Sequence, residues 1–416
     1  MLLRIMSFFT SAVLLISGLL GLELPALRLN ERLLSDRVSS SQRARLKSEK
    51  IFGSHIIVWQ NHKEVLNALY GFSDRMKTPL SGNEIYRIAS MTKPVTAVAM
   101  LAAYEDGLID IYEEVSHYLP EFGEMYLALR DKNGELVKDE AGNFIKDKKA
   151  VNSIKVYQCV SHITGLPEIS EKAFENGEEN LESAVSYLSE QPLLFEPGTE
   201  QLYCTSAYDI VARIIEIKSG LNFNEYLKKR IFDRLGMEDT TFMPDSQQKA
   251  RFVRMHAVDE NKKSYEYPTD DGCNFAGFGN TYFGAGCSLV SSAADYLKFA
   301  LMLQNGGEGE NGVRVVSENS IKLLSTPVPE MKKIMPSSSW QWGLAVRVIV
   351  KTGDRLPKGS FGWSGAYGTH FWIDKQNNIT ALYFKNSVYD GGAGCLTANE
   401  FEKDVMKSLS LRRLLK

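Results

Sequence analysis

The apolar residues of this chain keep a period of two near both ends and a helical spacing between them, and that arrangement narrows the available folds more than any other feature. "SHIIVWQNHKEVLNALYG" (54–71) reads as two strands joined by a turn at Asn61–Lys63. "WGLAVRVIV" (342–350) and "GTHFWIDKQNNITALYFKN" (368–386) alternate in the same way. Between these ends lie "SAYDIVARIIEIKSG", "FNEYLKKRIFDRLG" and "AADYLKFALMLQNGG", all with helical spacing. A sheet formed by both ends and interrupted by helices predicts an α+β fold: an antiparallel sheet flanked by helices, with an inserted, mainly helical domain. The expected division is 31–115 and 240–416 for the sheet unit and 116–239 for the helical one. Asn133-Gly134, between short alternating runs, predicts a surface hairpin excursion near 124–150.

Charge and cysteine content exclude several function classes. The 48 basic and 51 acidic residues leave a formal net charge of −3, with no basic stripe suited to nucleic acid. The 5 cysteines (159, 204, 273, 287, 395) are odd in number and widely spaced without a CxxC pair, which argues against a disulfide framework and a zinc site. The 6 histidines are scattered and form no HExxH, so no catalytic metal is expected. At the N-terminus (1–30), Arg4 is followed by no charge until Glu23. The run from Ile5 to Leu22 is long for a signal-peptide core, has no A-x-A-like site after it, and approaches the length that spans a bilayer. The expectation is membrane association or export through this segment, giving an extracytoplasmic or membrane-associated protein. The alternative is a cytoplasmic protein with a packed apolar helix.

"RIASMTKP" (87–94) carries the candidate chemistry. Pro94 is tolerated only in the first turn of a helix, so the helix of "VTAVAMLAAYEDG" must start near Ser90, and Gly107 suits its end. Ser90 and Lys93 then share a face, and a buried lysine can activate a hydroxyl for nucleophilic attack. The pattern alone is degenerate, because "SQQK" (246–249) matches it and Ser90 would also serve as a plain helix cap. No long apolar helix follows Ser246, which reads as a surface turn.

"YRIASMTKPVTAVAMLAAYEDGLIDIYEEVSHYLPEF" resembles the nucleophile region of the beta-lactamase-related serine hydrolases: class C beta-lactamases, D,D-peptidases and family VIII carboxylesterases. The likeness continues in order through "SHITGLPE", "FEPGTEQLYCTSAYDIVARIIEIKSG", "IFDRLGMEDTTF", "GAGCSLVSSAADYLKFALMLQNGG" and "FGWSGAYGTHFWID". It implies a beta-lactamase/transpeptidase-like fold with the site between sheet and helical domain. Tyr203 matches the tyrosine of the second motif, the family's candidate general base, while Thr205 stands where asparagine is usual. Cys204 between them reads as a small packing residue. Trp363-Ser364-Gly365 resembles the Trp-Gly-Gly of family VIII esterases in place of Lys-Thr-Gly. The resemblance implies an oxyanion hole from the N–H groups of Ser90 and Ala366, with Trp363, Ser364, Gly365 and Thr205 contacting substrate. His162 in "SHITGLP" reads as a satisfied core histidine. His370 is a candidate to face the cleft, with no role assigned.

The resulting expectation is a serine hydrolase in which Ser90, Lys93 and Tyr203 transfer an acyl group from a small ester, with no cofactor. Two alternatives stand beside it: a beta-lactamase or D-alanyl-D-alanine carboxypeptidase, and a non-catalytic binding homologue. The partner is a small-molecule ester or amide and no nucleic acid; no oligomeric state follows from the sequence.

Overall fold

The computed structural model describes residues 27–169, 173, 180–261, 263–268, 281–353, 355–388 and 395–410. The apolar N-terminal run and Cys273 lie outside them. Among the described residues no helix is long and apolar enough to cross a membrane.

The two alternating ends of the chain form one sheet. Among the described residues its strands are β1 (Gly53–Gln60), β2 (Lys63–Gly71), β3 (Trp340–Trp342), β4 (Arg347–Ile349), β5 (Phe361–Ser364), β6 (Thr369–Asp374) and β7 (Ile379–Lys385). They lie in the order β3-β4-β5-β6-β7-β1-β2, antiparallel throughout, and β7 pairs with β1 from Ile379↔Gln60 to Lys385↔Ser54. In the first hairpin Gln60 faces Lys63, so the turn is Asn61-His62, one residue shorter than expected. Both turn residues are left-handed (φ 51° and 59°), as a two-residue turn matched to the twist of its strands requires.

Helices cover both faces, and strict alternation decides which side chain meets which layer. Ile56, Val58, Trp372, Ala381 and Tyr383 point to one face, under helices α1 (Glu31–Lys47) and α6 (Leu396–Met406). Ile57, Phe371, Ile373, Leu382 and Phe384 point to the other. There they meet helix α5 (Ala293–Gln304) and the core around α2 (Thr92–Glu105). Each large apolar side chain fully buried in these layers contributes about 1.5–3 kcal/mol relative to exposure.

Every residue of α2 from Thr92 to Ala103 is buried. A helix apolar on all sides belongs at the centre of a protein. A 3-10 turn, Ala89–Met91, leads into it, and left-handed Gly107 (φ 71°) follows its end. The helical insertion packs α3 (Leu181–Glu190) and α4 (Ala207–Ser219) near α2, and the buried core runs without a break from the sheet into it. The segment at 126–149 is a hairpin in which Tyr126–Ala128 pairs with Lys146–Lys149, with left-handed glycines at Gly134 and Gly142.

Candidate active site

Ser90 lies half-buried on the 3-10 turn between the strand Ile85–Arg87 and α2. The residue before it, Ala89, is left-handed (φ 44°) although it carries a Cβ, a conformation that persists only where the surroundings enforce it. Lys93, one turn along, is wholly buried. Its Nζ donates to Ser90 Oγ at 3.2 Å, Thr205 Oγ1 at 3.2 Å and the Gly286 carbonyl at 2.8 Å, so all three protons are engaged. Its Nζ also stands over the rings of Tyr203 (4.7 Å) and Tyr208 (5.2 Å).

Tyr203 reaches Ser90 from the loop before α4 and donates its hydroxyl to Oγ at 2.8 Å. The indole Nε1 of Trp363 donates to the same phenol oxygen at 3.3 Å. Behind the phenol ring, His162 stacks at 4.3 Å and 27°. His162 is wholly buried, and burial, followed by the Lys93 charge, holds it well below the ordinary histidine range. It is therefore neutral, which fits an Nδ1 that accepts from the Cys204 N–H at 3.1 Å. His162 is thus a buried, hydrogen-bonded core histidine packed behind Tyr203, in line with its reading from the sequence as a satisfied core residue.

Two groups to which sequence reasoning gave no role fix this loop. Glu168, in "SHITGLPE", accepts from Thr205 N (2.6 Å), Ser206 N (2.9 Å) and Ser206 Oγ (2.7 Å) at the start of α4. A carboxylate suits the positive end of a helix. Gly286 brings its carbonyl to Lys93, and a Cβ there would lie 2.3 Å from the Thr205 carbonyl, so only glycine fits. Asp209 on α4 holds the approach to Gly286 by accepting from Tyr282 OH (2.7 Å) and Ala285 N (2.8 Å). Burial pushes the Asp209 carboxyl up to about 7.

Strand β5 delivers the third motif, and its alternation splits the residues expected to touch substrate. Trp363 faces Tyr203, packing edge-on to Trp342 at 4.5 Å. Ser364 points to the opposite face, where its hydroxyl meets His370 Nδ1 at 2.7 Å. His370 lies 3.3 Å from Glu402 of α6, which Arg347 of β4 also binds. Ser364 and His370 therefore present no side chain to the cleft, and the expectation that His370 might face it is corrected by the period of two. Gly365 presses on the nucleophile turn, for a Cβ there would lie 2.2 Å from the Ile88 carbonyl. Its N–H is engaged with the Thr369 carbonyl at 2.7 Å, and the next residue, Ala366, is exposed. Thr205, expected to contact substrate, accepts from Lys93 through its hydroxyl. Ser246 is on the surface as expected, but it begins a short helix, Ser246–Ala250, capped by Asp245, and not the turn its sequence suggested.

An antiparallel sheet between helical layers, with a serine-lysine helix start facing a tyrosine from a helical insertion, defines the beta-lactamase/transpeptidase-like fold. The family model described as Beta-lactamase matches residues 38–399, and the chain belongs to that family. It is 26% identical over 357 residues to an uncharacterized protein of Mycobacterium tuberculosis, MT1414, covering 80% of this chain and 84% of that one. It is 27% identical over 362 residues to the lovastatin esterase of Penicillium rubens, covering 80% and 88% respectively. Among solved structures, EstCE1, described as a hydrolase with promiscuous acyltransferase activity, superposes with a TM-score of 0.73 at 20% identity. That match covers 90% of this chain and 99% of the other.

Proposed function

We propose that this protein is a serine hydrolase that forms an acyl ester on Ser90 and acts as a carboxylesterase on small esters. The observation that carries the reading is the meeting of Tyr203 and Lys93 on one oxygen, Ser90 Oγ, at 2.8 and 3.2 Å. With Tyr203 ionised to its phenolate, Ser90 Oγ attacks the ester carbonyl as the seryl proton passes to the Tyr203 oxygen, forming a C–O bond and a tetrahedral oxyanion. The Trp363 N–H and the Lys93 ammonium face Tyr203 and stabilise the phenolate form that accepts this proton. The N–H groups of Ser90 and Ala366 take the oxyanion. Collapse breaks the ester C–O bond, the leaving alkoxide takes the proton, and water repeats the cycle on the acyl-serine. An alcohol in place of water would give acyl transfer from the same intermediate, the activity named for EstCE1.

The cell-wall alternative is disfavoured by charge. Beta-lactams and D-alanyl peptides carry a carboxylate, but the third motif offers the neutral indole of Trp363, and every proton of Lys93 is engaged. A missing charge-assisted contact is worth ~1.5–3 kcal/mol, about 10- to 150-fold in binding. The non-catalytic alternative leaves the convergence of Ser90, Lys93 and Tyr203 without a purpose. The test compares kcat/KM for p-nitrophenyl butyrate and nitrocefin, with the first expected to be higher by about 10²-fold or more, roughly 2.7 kcal/mol in transition-state binding. Nitrocefin turned over as well as the ester would return the protein to the lactamase reading.

A further inference from the structure

We propose that Glu168 sets the charge selectivity of the Ser90 cleft, disfavouring anionic acyl donors and admitting neutral and cationic esters. The inference rests on the ester-hydrolase reading and narrows its substrate class. Glu168 is exposed, yet its carboxylate is fixed by two main-chain N–H groups and one hydroxyl. A charge located by backbone cannot swing away from an incoming substrate as a free surface side chain would. The main chain it grips is that of Thr205, whose hydroxyl takes a proton of Lys93, which in turn donates to Ser90. The negative charge is thus exposed and held on the main chain of the residue that accepts from Lys93.

Among the described residues, the cations Lys93 and Arg347 do not answer it. Lys93 is wholly buried and fully engaged, so it cannot come forward to meet a substrate carboxylate. Arg347 lies under the opposite face of the sheet, bound to Glu402. Trp363 occupies the position at which relatives with Lys-Thr-Gly carry a cation. A cleft whose fixed accessible charge has one sign selects substrates by charge, and the selection weakens as salt screens it.

Three p-nitrophenyl esters of matched chain length test this: the butyrate, the monoester of succinate, and the 4-(trimethylammonio)butyrate. In the wild-type protein at low salt, kcat/KM for the succinate ester should fall about 10-fold below the butyrate, and the cationic ester should match or exceed it. The gap should narrow in about 0.5 M salt, where screening is nearly complete over a few ångströms. Glu168→Gln should raise the succinate-to-butyrate ratio about 5- to 10-fold and remove its salt dependence, whereas Glu168→Asp should keep both. Reading the ratio cancels any common loss from a loosened Thr205 loop. An unchanged ratio and salt dependence in Glu168→Gln, with esters still turned over, would overturn the assignment of Glu168 alone. Failure of the wild-type protein to turn over any of the three would sink the hydrolase reading and this inference with it.

Discussion

Ser90 Oγ collects hydrogen bonds from Lys93, one turn along its own helix, and from Tyr203, which arrives from the insertion. The first pairing is local and was legible from "SMTKP" with the apolar helix behind it, because Pro94 fixes where that helix begins, although the four-residue pattern alone also matched "SQQK". The second was legible only through the resemblance, since nothing in the spacing of residues 90 and 203 brings them together. Gly286 was invisible as a lysine partner because it acts through a carbonyl, and main-chain acceptors leave no mark in a side-chain pattern. Ser364 was misplaced for an avoidable reason: with Trp363 turned to the site, a period of two sends Ser364 to the other face. Lys93 and Tyr203 also give the residue-scale prediction. Lys93→Ala and Tyr203→Phe should each lower the acylation rate by about 10² or more. In single-turnover kinetics the double variant should be little worse than either single, because the two serve one proton path. Strictly additive losses would separate their roles.

At the scale of elements, strand β5 is held from both sides. Trp363 and Gly365 meet Tyr203 and the nucleophile turn, while Ser364 is tied through His370 to Glu402 on α6. Burial alone would raise the Glu402 carboxyl, but His370 and the Arg347 charge outweigh it and bring it down to about 2. A carboxyl held below its unfolded value stabilises the fold above that value, about 4.3, and the contribution fades as pH falls towards 2. Glu402→Gln leaves Arg347 buried without its counter-charge, and should cost about 3 kcal/mol at pH 7. Denaturant unfolding should show the gap between variant and wild type shrinking between about pH 4.5 and pH 3. A gap independent of pH would mean that Glu402 stabilises by packing alone. The elements themselves were largely legible, as periods of two and 3.6 mark the strands and helices. The turn ends were less so, since Asn61-His62 needs two left-handed residues and only Asn61 advertises that tolerance.

Across the whole molecule, strands distant in sequence share one sheet, and the β1–β7 pairing closes a long, mainly helical excursion. The alternating ends announced a sheet, but not that they pair with each other, because register between distant strands is set by packing on both faces. The continuous core makes the cleft a seam between sheet and insertion, and the nucleophile turn lies where α2 leaves the sheet. The central claim is that this seam carries one acylated residue, Ser90. The most direct measurement is mass spectrometry of the protein treated with a fluorophosphonate probe, intact and after digestion, for wild type, Ser90→Ala and Ser246→Ala. One adduct mapped to Ser90, absent from Ser90→Ala and undiminished in Ser246→Ala, is the result predicted. An adduct on Ser246, or ester turnover that survives Ser90→Ala, would contradict it.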